Sequence, residues 1–217
     1  MPNTSWCPNT DHFAQHVAPT LRYTRNQPPR RWDSLMGGDV DEIAALTPDQ
    51  ELQATAIRHA GFSVLYMAAG FRVDYILVHP VGSPAARGSK GYTMRAGGSG
   101  SWLGRAVAAA GHERAVDRWL RESGLWTPDR AWAAERLSAD ARAQAAEAVQ
   151  YGLGCEMTFN GGGDEADYAW ICDRADEALD ARWPQVSALG QYVAEYSRVE
   201  GADAARIAGF DPATVAR

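Results

Sequence analysis

Two adjacent residues on one predicted helix carry the most pointed chemistry in this chain. Arg58 and His59 lie in Thr55-Ala-Ile-Arg-His-Ala-Gly-Phe-Ser-Val64. A histidine titrates near neutral pH and can act as a general acid or base. The arginine beside it is a fixed cation that can grip a carboxylate. Phe62, one turn on, has no polar atom. Far downstream, Asp164 opens the acidic run Asp164-Glu-Ala-Asp167 after Gly161-Gly-Gly163. Brought together, His59, Arg58 and Asp164 could orient a polar substrate and move a proton.

Other chemistries fit less well. A zinc-holding helix needs H-E-x-x-H, with histidines at i and i+4 and a glutamate to activate the bound water. Those positions here would be Arg58, His59 and Phe62. A guanidinium repels a metal cation, phenylalanine cannot bind one, and a single carboxylate does not hold zinc, so no metal or cofactor is expected. A rebuilt site of His59 with Asp164, Glu165 or Asp167 stays open as an alternative. So does a purely structural His59. The other histidines (His12, His16, His79, His112) fall in unrelated segments, and His112-Glu113 reads as a surface pair. The three cysteines form no C-x-x-C pair; Cys155 and Cys172 read as small buried hydrophobes. The Gly161–Gly163 run lacks the phosphate-loop pattern, and the acidic run beside it reads equally as helix-start residues.

The elements that must position these groups follow from pattern and punctuation. Thr47-Pro-Asp-Gln50 is a capping box with proline at the first helical position, and it predicts a helix to about Ala69, ended by Gly70. Residues 72–79 and 91–95 read as strands, with a loop over 80–89. Helices are expected over 102–122, 128–151, 164–181 and 183–198, and a short one over 202–208. The expected class is α+β, mostly α-helical, with a small β-sheet. Residues 1–46, rich in Pro, Asn, Thr and Arg, read as an N-terminal arm. They either pack on the domain, with Tyr23 and Trp32 as anchors, or form a partner-binding peptide. Residues 47–200 form the domain and 201–217 a tail.

The chain has 217 residues and a net charge of -6, and its longest basic block is Arg30-Arg31. That gives no electrostatic footprint for nucleic acid. No apolar run is long enough to span a membrane. The N-terminus lacks the basic-then-apolar pattern of a secretory signal. A cytoplasmic location is therefore expected.

Three stretches, in order, resemble the peptidase domain of the FtsH-type membrane AAA proteases. Ala56-Ile-Arg-His-Ala-Gly-Phe-Ser-Val64 is similar to the family's A-x-H-E-A-G-H-A-V, and Gly91-Tyr-Thr-Met94 matches its G-Y-T-M. Ala143-Gln-Ala-Ala-Glu147, Tyr151-Gly152, Thr158 and Asp164 look like its A-G-R-x-A-E-E, F-G and T-T-G-A-x-N-D run. The resemblance covers about residues 48–200 and lacks the ATPase module. It implies a zincin-like FtsH-peptidase-type helical domain. Asp164 would stand at the third zinc ligand and Gly91, Tyr92, Thr93 and Met94 beside the substrate cleft, with Phe62 and Glu165 also facing it. Two of the three ligands are gone, so hydrolysis is not implied.

Two function classes remain. One is a pseudo-peptidase that binds a peptide, a protein or a small polar molecule in the former cleft. The other is a repurposed enzyme, biosynthetic or peptide-modifying, in which His59 is the acid/base and Arg58 and Asp164 orient the substrate. In either case Arg58 could pair with Asp164 in place of the metal, or stand solvated and unrelated to it.

Overall fold

A computed structural model of the chain describes residues 6–9, 13–29, 40–87, 89–161 and 163–212. Expectations resting on His12, Arg30, Arg31 and Trp32, and on the last five residues of the tail, lie outside them. The fold is α+β and mostly helical, with two small antiparallel sheets.

The central helix is α2, Pro48–Ala68. Its start is the expected capping box: the Gln50 amide donates to Thr47 Oγ1, and the Thr47 amide donates to Gln50 Oε1. From Thr55 to Met67 nearly every residue is buried. Such all-round burial belongs to a helix enclosed by other elements. Here those are α3 (Trp102–Glu122), α6 (Tyr168–Tyr196) and the strand β3 (Phe71–Val78). One continuous core runs from Ile57 and Phe62 through Ile76 to Leu179 and Leu189.

Contact between α2 and α3 is unusually close. A Cβ on Gly61 would stand 2.4 Å from the Ala115 Cβ and 2.8 Å from the Gly111 carbonyl oxygen. Two facing glycines thus let the backbones meet, and they bring the residues beside them, His59 and His112, into one place.

The main sheet has the order β4-β3-β5, with β4 spanning Gly91–Gly98 and β5 Arg198–Glu200. Among the described residues strand β4 is an edge, paired only with β3 in the register Leu77↔Tyr92, Ile76↔Thr93 and Tyr75↔Met94. The His79 amide donates to the Lys90 carbonyl. The alternation of an antiparallel ladder then makes Leu77·Tyr92 and Tyr75·Met94 the hydrogen-bonded pairs. It turns the N–H and C=O of Gly91 and Thr93 toward the open edge. The Ser89 hydroxyl donates to the Gly91 carbonyl (2.9 Å) and accepts from its amide (3.4 Å). The edge groups of Gly91 are therefore occupied by a side chain.

Some elements depart from expectation. The predicted helix 128–151 is two: α4 (Pro128–Arg136) and α5 (Ala139–Leu153). The turn at Leu137–Ser138 is held by the Ser138 hydroxyl on the Ala134 carbonyl. Conversely, Pro184 does not end a helix but lies inside the continuous α6. Burial of Leu179, Trp183, Val186 and Leu189 along one side of α6 outweighs the lost backbone hydrogen bond. Strand β5 and a short helix α1 (Val40–Ala44) were not expected, while α7 (Gly201–Ile207) answers the predicted 202–208.

The described part of the arm packs on the domain. Strands β1 (Cys7–Pro8) and β2 (Tyr23–Thr24) pair with each other, and Trp6 lies edge-on to Phe159 at 5.3 Å. A buried ion network fastens this arm. Arg142 bonds Glu113 (2.8 Å), Glu135 (2.5 Å) and the Tyr23 carbonyl (2.6 Å). Glu135 in turn accepts the backbone amides of Arg25 and Asn26. The His112-Glu113 surface pair is thereby corrected: both residues are buried, because α3 packs between α2, α5 and α6. Cys172 is buried as expected, but Cys155 is exposed.

Candidate functional site

A cavity of about 600 Å³ opens where α2, α3, β4 and the α4–α5 turn meet. Arg58, His59 and Phe62 come to it from α2, and His112 comes from α3. Gly91, Tyr92, Thr93 and Arg95 line it from the β4 side, and Asp140 and Gln144 line it from α5.

Each polar group on this lining has a local reason for its position. Arg58 Nη2 donates to the Leu137 carbonyl at 2.8 Å. Leu137 is the C-cap of α4, whose last carbonyls have no intrahelical partner and carry the negative end of the helix dipole. A guanidinium satisfies both needs. Arg95 Nη1 donates to Gln144 Oε1 at 3.1 Å, a bridge from β4 to α5. Lys90 is bound by Asp41 and by Glu51 (2.7 Å), which ties α1 and α2 to the start of β4. Among the described residues, Lys90 is thus ion-paired, whereas Arg58 and Arg95 are held by neutral acceptors.

His59 Nδ1 lies 3.2 Å from Thr93 Oγ1, and its Nε2 is buried without a hydrogen-bond partner among the described residues. Its ring meets the His112 ring edge to face at 5.4 Å. Phe62 packs under His112 at 4.7 Å and stacks on Tyr66 at 4.9 Å. Burial, then the Arg58 charge, drives the His59 pKa down to about 3, against a smaller pull upward from the Gly91 carbonyl. His112 is driven well below its ordinary value by burial, then by His59, Arg58 and Arg95. At neutral pH both imidazoles are neutral. Burial also lowers Arg58 to about 10, opposed by the carboxylates of Asp140 and Asp41. It remains a cation at neutral pH.

The structure places Arg58, His59, Phe62, Gly91, Tyr92 and Thr93 on one cavity. Met94 is exposed, and neither it nor Asp164 nor Glu165 is on the cavity lining. The expected pairing of Arg58 with Asp164 is therefore corrected: Asp164 is exposed and its carboxylate accepts the Ala166 amide at 2.8 Å. The reason is the start of α6. Asp167 is its N-cap, accepting the Ala169 amide (2.8 Å) and the Asn160 amide (2.7 Å). That cap, with the Thr158↔Asp167 bridge, commits the acidic run to the helix end.

Sequence reasoning missed His112, Arg95 and Asp140. For His112 a signal existed. Ala108-Ala-Ala-Gly111 on α3 and Ala60-Gly61 on α2 are small residues of the kind that let helices approach. For Arg95 and Asp140 no local pattern marks the role. Among the described residues no three His, Cys, Asp or Glu side chains converge as a metal ion needs, and no helix is long and apolar enough to cross a membrane. Compared with known proteins, the sequence matches no family model and no curated protein.

Proposed function

We propose that this chain is a non-proteolytic binding protein on a peptidase-like frame, holding an extended peptide segment in the cavity beside β4. The observation that carries the reading is the edge of β4, which no other described strand covers. That edge presents the Thr93 backbone groups on a strand that lines a polar cavity. Backbone pairing to an edge strand supplies affinity, and pockets beside it supply specificity. Hydrolysis has no support at this site, because Arg58 and Phe62 stand where the resemblance would place ligating histidines. The partner class stays peptide, protein or small polar molecule, with no nucleic acid, and a cytoplasmic location remains part of the proposal.

The test is panning of a random dodecapeptide library on the immobilised full chain, then calorimetry with a selected peptide. Thr93→Val keeps the edge and should retain most of the affinity. Thr93→Pro removes the edge donor and should lose it. The peptide should be recovered intact after incubation with and without added zinc. No enriched peptide, equal affinity for Thr93→Pro, or cleavage would each contradict the reading.

A second reading rests on one observation: His59 lines the cavity, and its buried Nε2 has no hydrogen-bond partner among the described residues. It makes His59 the proton-transfer group of a repurposed enzyme. With a pKa near 3 the ring is almost wholly neutral at neutral pH and would act only as a weak base. Turnover of any bound molecule that is abolished in His59→Gln would favour this reading over simple binding.

A further inference from the structure

The charges on the cavity point to the end of the ligand as well as to its backbone. Two guanidiniums, Arg58 and Arg95, reach the cavity on neutral acceptors, the Leu137 carbonyl and the Gln144 amide oxygen. Neither makes an ion pair among the described residues. Lys90, the third cation on the lining, is already held by Asp41 and Glu51. Against these stand Asp140, exposed on the first turn of α5, and Asp41. With Glu51 counted beside the lysine it holds, three cations meet three carboxylates among the described residues, and the two guanidiniums are the cations left without an ion pair there.

The histidines add a second, independent indication. His59 lies buried on the cavity lining, and among the described residues its Nε2, itself closed off from solvent, has no hydrogen-bond partner. Burying such an atom unpaired costs free energy that a ligand can relieve. With Thr93 donating to Nδ1, the ring offers an N–H to a carboxylate oxygen. In the other tautomer it accepts an amide N–H. The last residue of a peptide carries both groups side by side. Thr93, the residue whose side chain touches His59, is also the residue whose backbone faces the open edge. A chain end seated at His59 therefore lies where a paired strand would begin or finish.

We propose that the cavity binds the carboxylate end of an N-acylated amino acid, free or as the last residue of a peptide, on the guanidiniums of Arg58 and Arg95. The peptide case rests on the strand-pairing function proposed above. The free N-acyl amino acid does not.

The experiment compares matched probes on the full chain. One pair is a library-selected peptide made with a free C-terminus and with a C-terminal amide. The other is N-acetylalanine and N-acetylalaninamide, followed by NMR shifts of the His59 ring. The expected result is a loss of roughly tenfold or more on amidation, the size of a charge-assisted hydrogen bond. That difference should vanish in Arg95→Gln, an exposed position where folding is safe, and in Arg58→Gln. If both peptide forms bind equally, the carboxylate proposal is overturned while peptide holding stands. If no peptide binds but N-acetylalanine does and its amide does not, the carboxylate site stands and peptide holding falls. If neither acid is preferred over its amide, the proposal is overturned outright.

Discussion

His59 and His112 meet edge to face, with ring centroids 5.4 Å apart and planes at 82°. They come from different helices, fifty-three positions apart in the chain. What joins them is the glycine contact of α2 and α3, two residues along from His59 and next to His112. Both rings are buried and neutral, and this has a consequence for stability. Unfolded, each histidine protonates near its ordinary value of 6.5. Folded, His59 stays neutral down to about 3, and His112 resists protonation as well. As pH falls below that ordinary value, the unfolded chain binds protons that the folded chain refuses. Stability is thus complete above it and declines below it, by about 1.4 kcal/mol per pH unit for each proton. Denaturant midpoints at pH 7.5 and 5.5 measure the decline, above most carboxylate titration. His112→Gln should remove roughly half of it. A wild-type midpoint that does not move would contradict the assignment of two buried neutral rings.

The helix contact itself is open to test. Gly61→Ala would force a methyl group to 2.4 Å from the Ala115 Cβ. Overpacking of this kind costs about 1–3 kcal/mol. The melting temperature should fall, and the His59 and His112 ring signals should shift together. An unchanged melting temperature would mean that the helices do not approach as closely as described.

The arm is fastened by Arg142, fully buried between Glu113 and Glu135. Removing one partner of a buried ion network leaves unpaired charge, at a cost of about 3–5 kcal/mol. Arg142→Met should therefore destabilise the protein and free the arm, so that trypsin cleaves at Arg22 and Arg25 faster than in wild type. Arg142→Met with Glu113→Gln and Glu135→Gln removes the orphaned charges and should regain part of the stability. Arm cleavage at the wild-type rate in Arg142→Met would sink the account of the fastening.

The acidic residues should separate by role. Asp164 lies outside the cavity and caps one amide, so Asp164→Ala should leave ligand affinity within about twofold. Asp167 caps α6, and Asp167→Ala should cost about 1–2 kcal/mol of stability. Asp140 lines the same cavity and acts on the Arg58 charge, so Asp140→Asn should tighten binding of a carboxylate probe. Calorimetry and thermal melts on the three variants decide this. A large affinity loss in Asp164→Ala alone would return that residue to the site.

Much of the frame was legible in the sequence because its signals are local. Thr47 and Gln50 mark the start of α2 through their own hydrogen bonds and Pro48 through its fixed φ, and the strand β3 follows from its Val, Ile and Tyr residues. What was not legible depends on partners distant in sequence. Pro184 reads as a helix break, yet side-chain burial on both sides carries α6 through it. The Leu137–Ser138 turn has no glycine or proline, and only the Ser138 hydroxyl marks it. Asp164 matched a spacing, but three residues later Asp167 took the cap and fixed the run elsewhere. Arg58 and His59 were identified from their types, whereas His112 and Arg95 join them only through helix packing and strand register.

The most direct test of the central claim is amide hydrogen exchange at Thr93, with and without a library-selected peptide. A peptide paired to the edge of β4 accepts from the Thr93 amide, so that amide should slow on binding, together with a shift of the His59 ring. Saturating peptide that leaves Thr93 exchange unchanged, with protection appearing on another face, would contradict the assignment of this cavity as the binding site.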